Sequence, residues 1–122
     1  DMKTSVAKAA EKIGLELSPD PMPDQALFTR SDHYSFVKQG IPSVFLVPGF
    51  KSVNPEIDGS KQFSHFLKTN YHKPGDDFSQ AFNWKAATKF AEVNYHIGLT
   101  LANQVQRSRW NKGDFFGDNF SK

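Results

Sequence analysis

Apolar positions recur at helical spacing near both ends of the chain. Met2, Val6, Ala9 and Ile13 are separated by four, three and four residues. That spacing predicts an amphipathic helix over 2–13, with Gly14 as its stop. Ala86, Phe90, Val93, Ile97 and Leu101 line one face of a longer run. They predict a final helix over roughly 84–105, with Asn83 as its cap. Between these ends the pattern changes. "SPDPMPD", 18–24, has three prolines and no hydrophobic period, so it reads as loop. A short apolar piece, Ala26-Leu27-Phe28, follows it. Ser31 then has the chemistry of a helix N-cap, and Asp32 suits the positive end of a helix dipole. The helix expected there runs to about Gln39 and ends at Gly40.

"SVFLV", 43–47, is a continuous apolar run that Pro48 and Gly49 stop. This is the pattern of a strand buried on both faces of a parallel sheet covered by helices. The expected fold class is therefore α/β. One strand and three helices do not make a sheet, so the expected sheet is incomplete in this chain. Position 1 is Asp and no signal-like segment follows, which reads as a piece cut from something longer or as a processed product. Residues 50–83 show no sustained period and are expected to be a long irregular segment, of the kind that is functional or floppy in compact domains. The tail, "RSRWNKGDFFGDNFSK", mixes glycine, charge and aromatics. It either docks through Trp110, Phe115 and Phe116 or frays. The expected organisation is a domain segment over 1–106 and a tail, 107–122, without assigned structure.

Composition narrows the classes. A chain of 122 residues is by default one domain and can bury a core. Its 12 phenylalanines supply the apolar area for one. Fifteen basic residues against 13 acidic ones leave a net charge of +2. With no Lys/Arg run, that balance argues against a nucleic-acid partner. Cysteine is absent, which excludes disulfides and thiolate metal sites. No apolar run approaches the roughly 18 residues that a membrane span needs.

The densest chemistry lies in "TNYHKPGDD", 69–77. A zinc site needs three or four N, O or S ligands at about 2.0–2.3 Å, so His72 and a nearby acid cannot complete one. The other histidines are weaker candidates. His96 lies off the apolar stripe of the last helix and reads as solvated. His65 falls in the irregular segment without a patterned partner. His33 follows a Ser-Asp pair and faces solvent or bonds locally. His72 stands apart because a rigid turn would fix it, and loops held by a scaffold often carry such residues. The plainer alternative is a Pro-Gly-Asp turn with an exposed imidazole, and the residues alone leave both open. Ser31, Asp32 and His33 have the residue types of a catalytic triad. Consecutive side chains point in different directions, however, and a triad needs them to converge from separate elements. No GxSxG, HExxH or phosphate-loop pattern occurs.

"FTRSDHYSFVKQGIPSVFL", then "NYHKPGDD", then "YHIGLTLAN" together resemble the C-terminal third or so of the zinc-dependent aminopeptidases of the M28 type. Those proteins carry an SDH segment, a GIP before an apolar strand, and an HxPxD segment, in that order. "SPDPMPDQALFTRSDH" is also similar to the equivalent stretch of bacterial members. The resemblance spans most of 1–103. It implies the C-terminal portion of a mostly parallel mixed sheet flanked by helices, of the phosphorylase/hydrolase-like kind. It also implies that His72 is a ligand to one zinc of a pair, and that Asp76 supports the turn or that ligand. Ser31, Asp32 and His33 would lie beside the cleft without binding metal, and Tyr71 would border the substrate pocket. Phe28 stands where some members have a tyrosine that helps stabilise the tetrahedral intermediate. The family's upstream histidine, bridging aspartate, glutamate pair and further acid are not recognisable here.

The implied function is therefore part of a zinc exopeptidase acting at peptide N-termini. It would use two zinc ions, of which this chain supplies at most one ligand, and the chain would be inactive alone. Its partners would be a peptide substrate and the upstream part of the same polypeptide. An exposed sheet edge would also allow self-association. The resemblance further implies a periplasmic or secreted location. Three other readings stand beside this one: a metal-free relative acting in binding or assembly, the acyl chemistry of glutaminyl cyclases on the same scaffold, and a small self-contained binding domain.

Overall fold

Helix α1 covers Met2–Lys12 and α4 covers Trp84–Asn103, close to the periodicity of the sequence. In this computed structural model, which describes residues 2–52 and 54–121, those two helices pack against each other and form the core. Val6, Ala9 and Ala10 from α1 are buried against Val93 and Ile97 from α4, with Ile13, Val44, Leu46 and Leu101 packed around them. Gly14 ends α1 with φ at +69°, a conformation glycine adopts without a steric penalty. At the start of α4, Asn83 Oδ1 accepts the Ala86 amide at 3.0 Å, which satisfies one of the first-turn donors. Ala86 itself is exposed, so the buried stripe begins one turn later than the sequence pattern suggests.

The α/β expectation is not met. Among the described residues every regular element is a helix: α1, two 3₁₀ turns at Pro23–Gln25 and Leu27–Arg30, α2 at His33–Val37, α3 at Gly59–Thr69, α4, and α5 at Phe115–Phe120. Residues 43–47 form no strand because no second strand lies beside them to accept their amides. Their side chains nonetheless alternate as an extended chain requires. Val44 and Leu46 face the α1–α4 core, while Phe45 stacks on His33. Without a sheet there is no sheet edge among the described residues, so self-association through one loses its basis.

Two further expectations are corrected. Ser31 does not cap a helix. Asp32 precedes α2 and makes no side-chain cap bond, and the helix stops at Val37, sooner than expected. Residues 50–83 are not all irregular either, since α3 occupies the middle of that segment. Its signal is Asp58 followed by Phe63, Phe66 and Leu67 at helical spacing. The helix runs for only 11 residues between Pro- and Gly-rich flanks, which hides it in a window as wide as the whole segment.

Asp58 Oδ1 accepts the amides of Ser60 and Lys61 at 3.1 Å and the Ser60 hydroxyl at 2.7 Å. The Ser60 hydroxyl and then the Lys61 amide hold its carboxyl below the ordinary value of 3.8. A depressed carboxyl stabilises the fold above its unfolded value, and that contribution is lost as pH falls through the folded one. The amide signals of Ser60 and Lys61 are therefore expected to move toward unfolded positions below about pH 4. Asp58→Asn, which still accepts at an N-cap, should abolish that pH dependence and keep the helix. Amide signals that do not respond to acid would refute the cap. Finally, no helix among the described residues is long and apolar enough to cross a membrane.

Candidate functional site

The segment after α3 is a chain of hydrogen-bonded turns. The Lys73 amide donates to the Asn70 carbonyl and the Asp76 amide to the Lys73 carbonyl, each at 2.9 Å. Asn70 Nδ2 reaches across to the Gly75 carbonyl at 2.8 Å, and Lys73 Nζ donates to the Lys68 carbonyl at the end of α3. These bonds tie the loop to the helix that precedes it. Asp76 Oδ1 accepts Gln80 Nε2 at 2.9 Å, so Asp76 braces the far side of the loop. Asp77 Oδ1 accepts the Ser79 amide at 2.8 Å, and the Ser79 hydroxyl and amide hold its carboxyl below the ordinary value of 3.8.

His72 sits at the tip of these turns with φ at +56°. That left-handed conformation costs a residue with a side chain about 1–2 kcal/mol. Its ring stacks on Tyr71, with centroids 3.8 Å apart and planes 22° apart, and Tyr71 in turn leans on Phe66 of α3 at 5.7 Å. The imidazole is exposed. Among the described residues neither of its ring nitrogens has a hydrogen-bond partner, and no hydrogen bond joins it to Asp76. The turn thus fixes the ring from one side and leaves its donor atoms open.

The Ser31-Asp32-His33 segment is built differently. The Tyr34 amide donates to the Ser31 carbonyl at 3.0 Å and the Ser35 amide to the Asp32 carbonyl at 3.1 Å, so both residues start α2 through their backbones. The His33 ring lies between two phenylalanines. Phe28 meets it edge-on at 4.6 Å and Phe45 stacks on it at 4.9 Å. Its Nε2 is buried with no hydrogen-bond partner. His33 is therefore a packed residue, neither facing solvent nor bonded locally through Nε2. His96 is also more enclosed than expected. Its side chain is 16% exposed and Nε2 lies 3.9 Å from Glu92 Oε1 one turn away on α4. His65 is on α3 and exposed.

Among the described residues no group of three or more His, Asp or Glu side chains could hold a metal ion. No hydrogen bond or ring contact joins the His72 turn to the Ser31–His33 segment. The residues present therefore do not make a zinc site by themselves. His72 presents an imidazole with no hydrogen-bond partner, a group of the kind that can ligate zinc.

A family model described as Peptidase family M28 matches residues 1–98. The chain belongs to peptidase family M28. The matched stretch includes both the Ser31–His33 segment and the His72 turn, and it ends within α4. No curated protein and no solved structure shows a significant match to the chain. Membership of M28 gives the chain a peptidase-related function.

Sequence reasoning missed the aromatic surroundings of the Ser31–His33 segment in this M28 chain. Phe45 was expected inside a strand, and instead it covers His33. Phe116 comes from the tail and packs on Phe28 at 5.1 Å. Neither contact has a local signal, since the partners are far apart in sequence. The clustering of aromatics in the tail was the only available hint.

Proposed function

We propose that the chain acts as part of a zinc-dependent aminopeptidase of the M28 family, which removes residues from the N-termini of peptides. His72 supplies one zinc ligand, and the remaining ligands and the general base come from protein outside this sequence, in the upstream part of the same polypeptide. Asp76 braces the turn through Gln80. Tyr71 supports the imidazole by stacking and borders the peptide. Ser31, Asp32 and Phe28 form part of the cleft wall.

The observation that carries this reading is the backbone of His72. A turn with a left-handed residue is cheapest with glycine there, and strain kept at such a position is a pointer to function. Ala26 shares the left-handed region at φ +47°, so what sets position 72 apart is an imidazole with both nitrogens open. When bound, zinc would supply Lewis acidity toward a peptide carbonyl. This chain's own part is to aim one donor and to line the cleft.

The surface supports the need for further protein. The chain exposes 9807 Å², whereas a compact protein of 13.8 kDa exposes about 6,600 Å². Among the described residues only six hydrophobic ones are buried, while Phe78, Trp84 and Tyr95 stand 89, 65 and 64% exposed. Apolar surface on this scale marks a contact face.

The test is metal dependence in the intact protein. Release of the first residue from a peptide should stop on chelation and return with added zinc, while this chain alone should release none. Release that ignores the chelator, or activity in the chain alone, would contradict the proposal. An intact protein that binds no zinc and cleaves nothing would favour the metal-free binding role.

A further inference from the structure

Residues 104–121 lie beyond the stretch matched to the M28 family, yet they fold against it. Asp114 starts the short helix α5 by accepting the amides of Phe116 at 2.9 Å and Gly117 at 3.1 Å. Phe116 then reaches Phe28 at 5.1 Å and Tyr34 at 6.0 Å, and Phe120 meets Tyr34 at 6.4 Å. Before the helix, the Trp110 indole Nε1 donates to the Gly40 carbonyl at 2.9 Å, across 70 residues of sequence. Phe115 takes no share in the docking face and is 70% exposed.

Two close approaches shape this contact, one inside the tail and one between the tail and its seat. A Cβ on Gly117 would lie 2.5 Å from the Cβ of Trp110. A Cβ on Gly40, whose φ is +79°, would lie 2.8 Å from the Phe120 carbonyl oxygen. Each is nearer than a carbon can approach without displacing its neighbour. Gly117 therefore lets α5 close on Trp110 within the tail, and Gly40 lets the end of the tail reach its seat. Trp110, Phe116 and Phe120, each half-buried, supply the aromatic side of the seat.

We propose that the tail, 107–121, is a latch that positions the Phe28–His33 segment. Trp110 holds the Gly40 carbonyl, which follows α2. Phe116 presses Phe28 against the His33 ring from the other side. The tail thus holds residues 28–40 at both ends, as a positioning element that does not touch reacting atoms. The docking stands on the contacts alone. Its consequence for substrate rests on the aminopeptidase reading, in which Phe28, Ser31 and Asp32 line the cleft.

The test has two arms. In the first, Trp84→Phe leaves Trp110 as the reporter. Gly117→Val in that background should shift Trp110 emission to longer wavelength. It should also speed tryptic cleavage after Arg109 and Lys112 by about tenfold or more, as expected when a closed segment opens. The far-ultraviolet circular dichroism should lose no more helix than the six residues of α5, which separates undocking from unfolding. In the second arm, Phe116→Ala in the intact peptidase should raise KM for a peptide by about tenfold with kcat within about twofold, a loss of binding without loss of chemistry. Phe116→Leu should restore most of it. Unchanged emission and cleavage in Gly117→Val would overturn the latch. Undocking with KM unchanged would overturn its positioning role. If the unaltered intact protein shows no peptidase activity, the aminopeptidase reading fails, and emission and proteolysis alone decide the docking.

Discussion

His72→Ala in the zinc-loaded intact protein is expected to lower zinc occupancy and to cut kcat/KM by more than about 100-fold. Changes to partners that only orient a zinc ligand already cost 10–100-fold, and removal of the ligand itself should cost more. A second variant separates function from folding. His72→Gly relieves the left-handed strain at φ +56° and should stabilise the fold by up to about 1 kcal/mol, while being as inactive as His72→Ala. Gain of stability with loss of activity is the signature of a residue kept for chemistry at the expense of the turn. Thermal denaturation beside a peptidase assay reads both. Full activity and unchanged metal content in either variant would remove His72 from the site.

Ile97→Ala is expected to have the largest effect on stability. Ile97 is 6% exposed and sits in the small cluster between α1 and α4. Truncating a buried isoleucine costs about 2–5 kcal/mol, because the lost transfer energy adds to the cavity left behind. Single domains are stable by only about 5–15 kcal/mol in total, and this core has few other members to compensate. The variant should lose the α1–α4 packing, seen as early exchange of the amides around Val6 and Ala10 and as a lower denaturation midpoint. A loss below about 1 kcal/mol would mean that the cluster can collapse around the gap, or that the packing of α1 on α4 contributes little.

The sequence revealed what depends on neighbours along the chain. α1 and α4 were legible because their apolar residues repeat every three or four positions over several turns. Gly14 and Asn83 marked their ends by chemistry that needs no distant partner. The "HKPGDD" stretch was legible as a turn, and the structure adds the bonds from Asn70 and Lys73 that tie it to α3. The strand at 43–47 was misread because an apolar run gives burial but not pairing. Strand assignment depends on amides from another segment, and none lies there among the described residues. α3 was missed because a short helix between turn residues leaves only a local trace. The enclosure of His33 by Phe28 and Phe45, and the hold of Trp110 on Gly40, join residues too far apart for any local pattern. Around the candidate residues, the turn at His72 could be read. The packing around Phe28 and His33 could not, because Phe116 of the tail supplies part of it.

Diffraction from the intact protein at the zinc absorption edge tests the central claim most directly. The account places an anomalous peak about 2.0–2.1 Å from a ring nitrogen of His72, the bonding distance for zinc and imidazole. A peak held by other residues while the His72 ring points into solvent would contradict it. So would the absence of any peak from crystals grown with zinc.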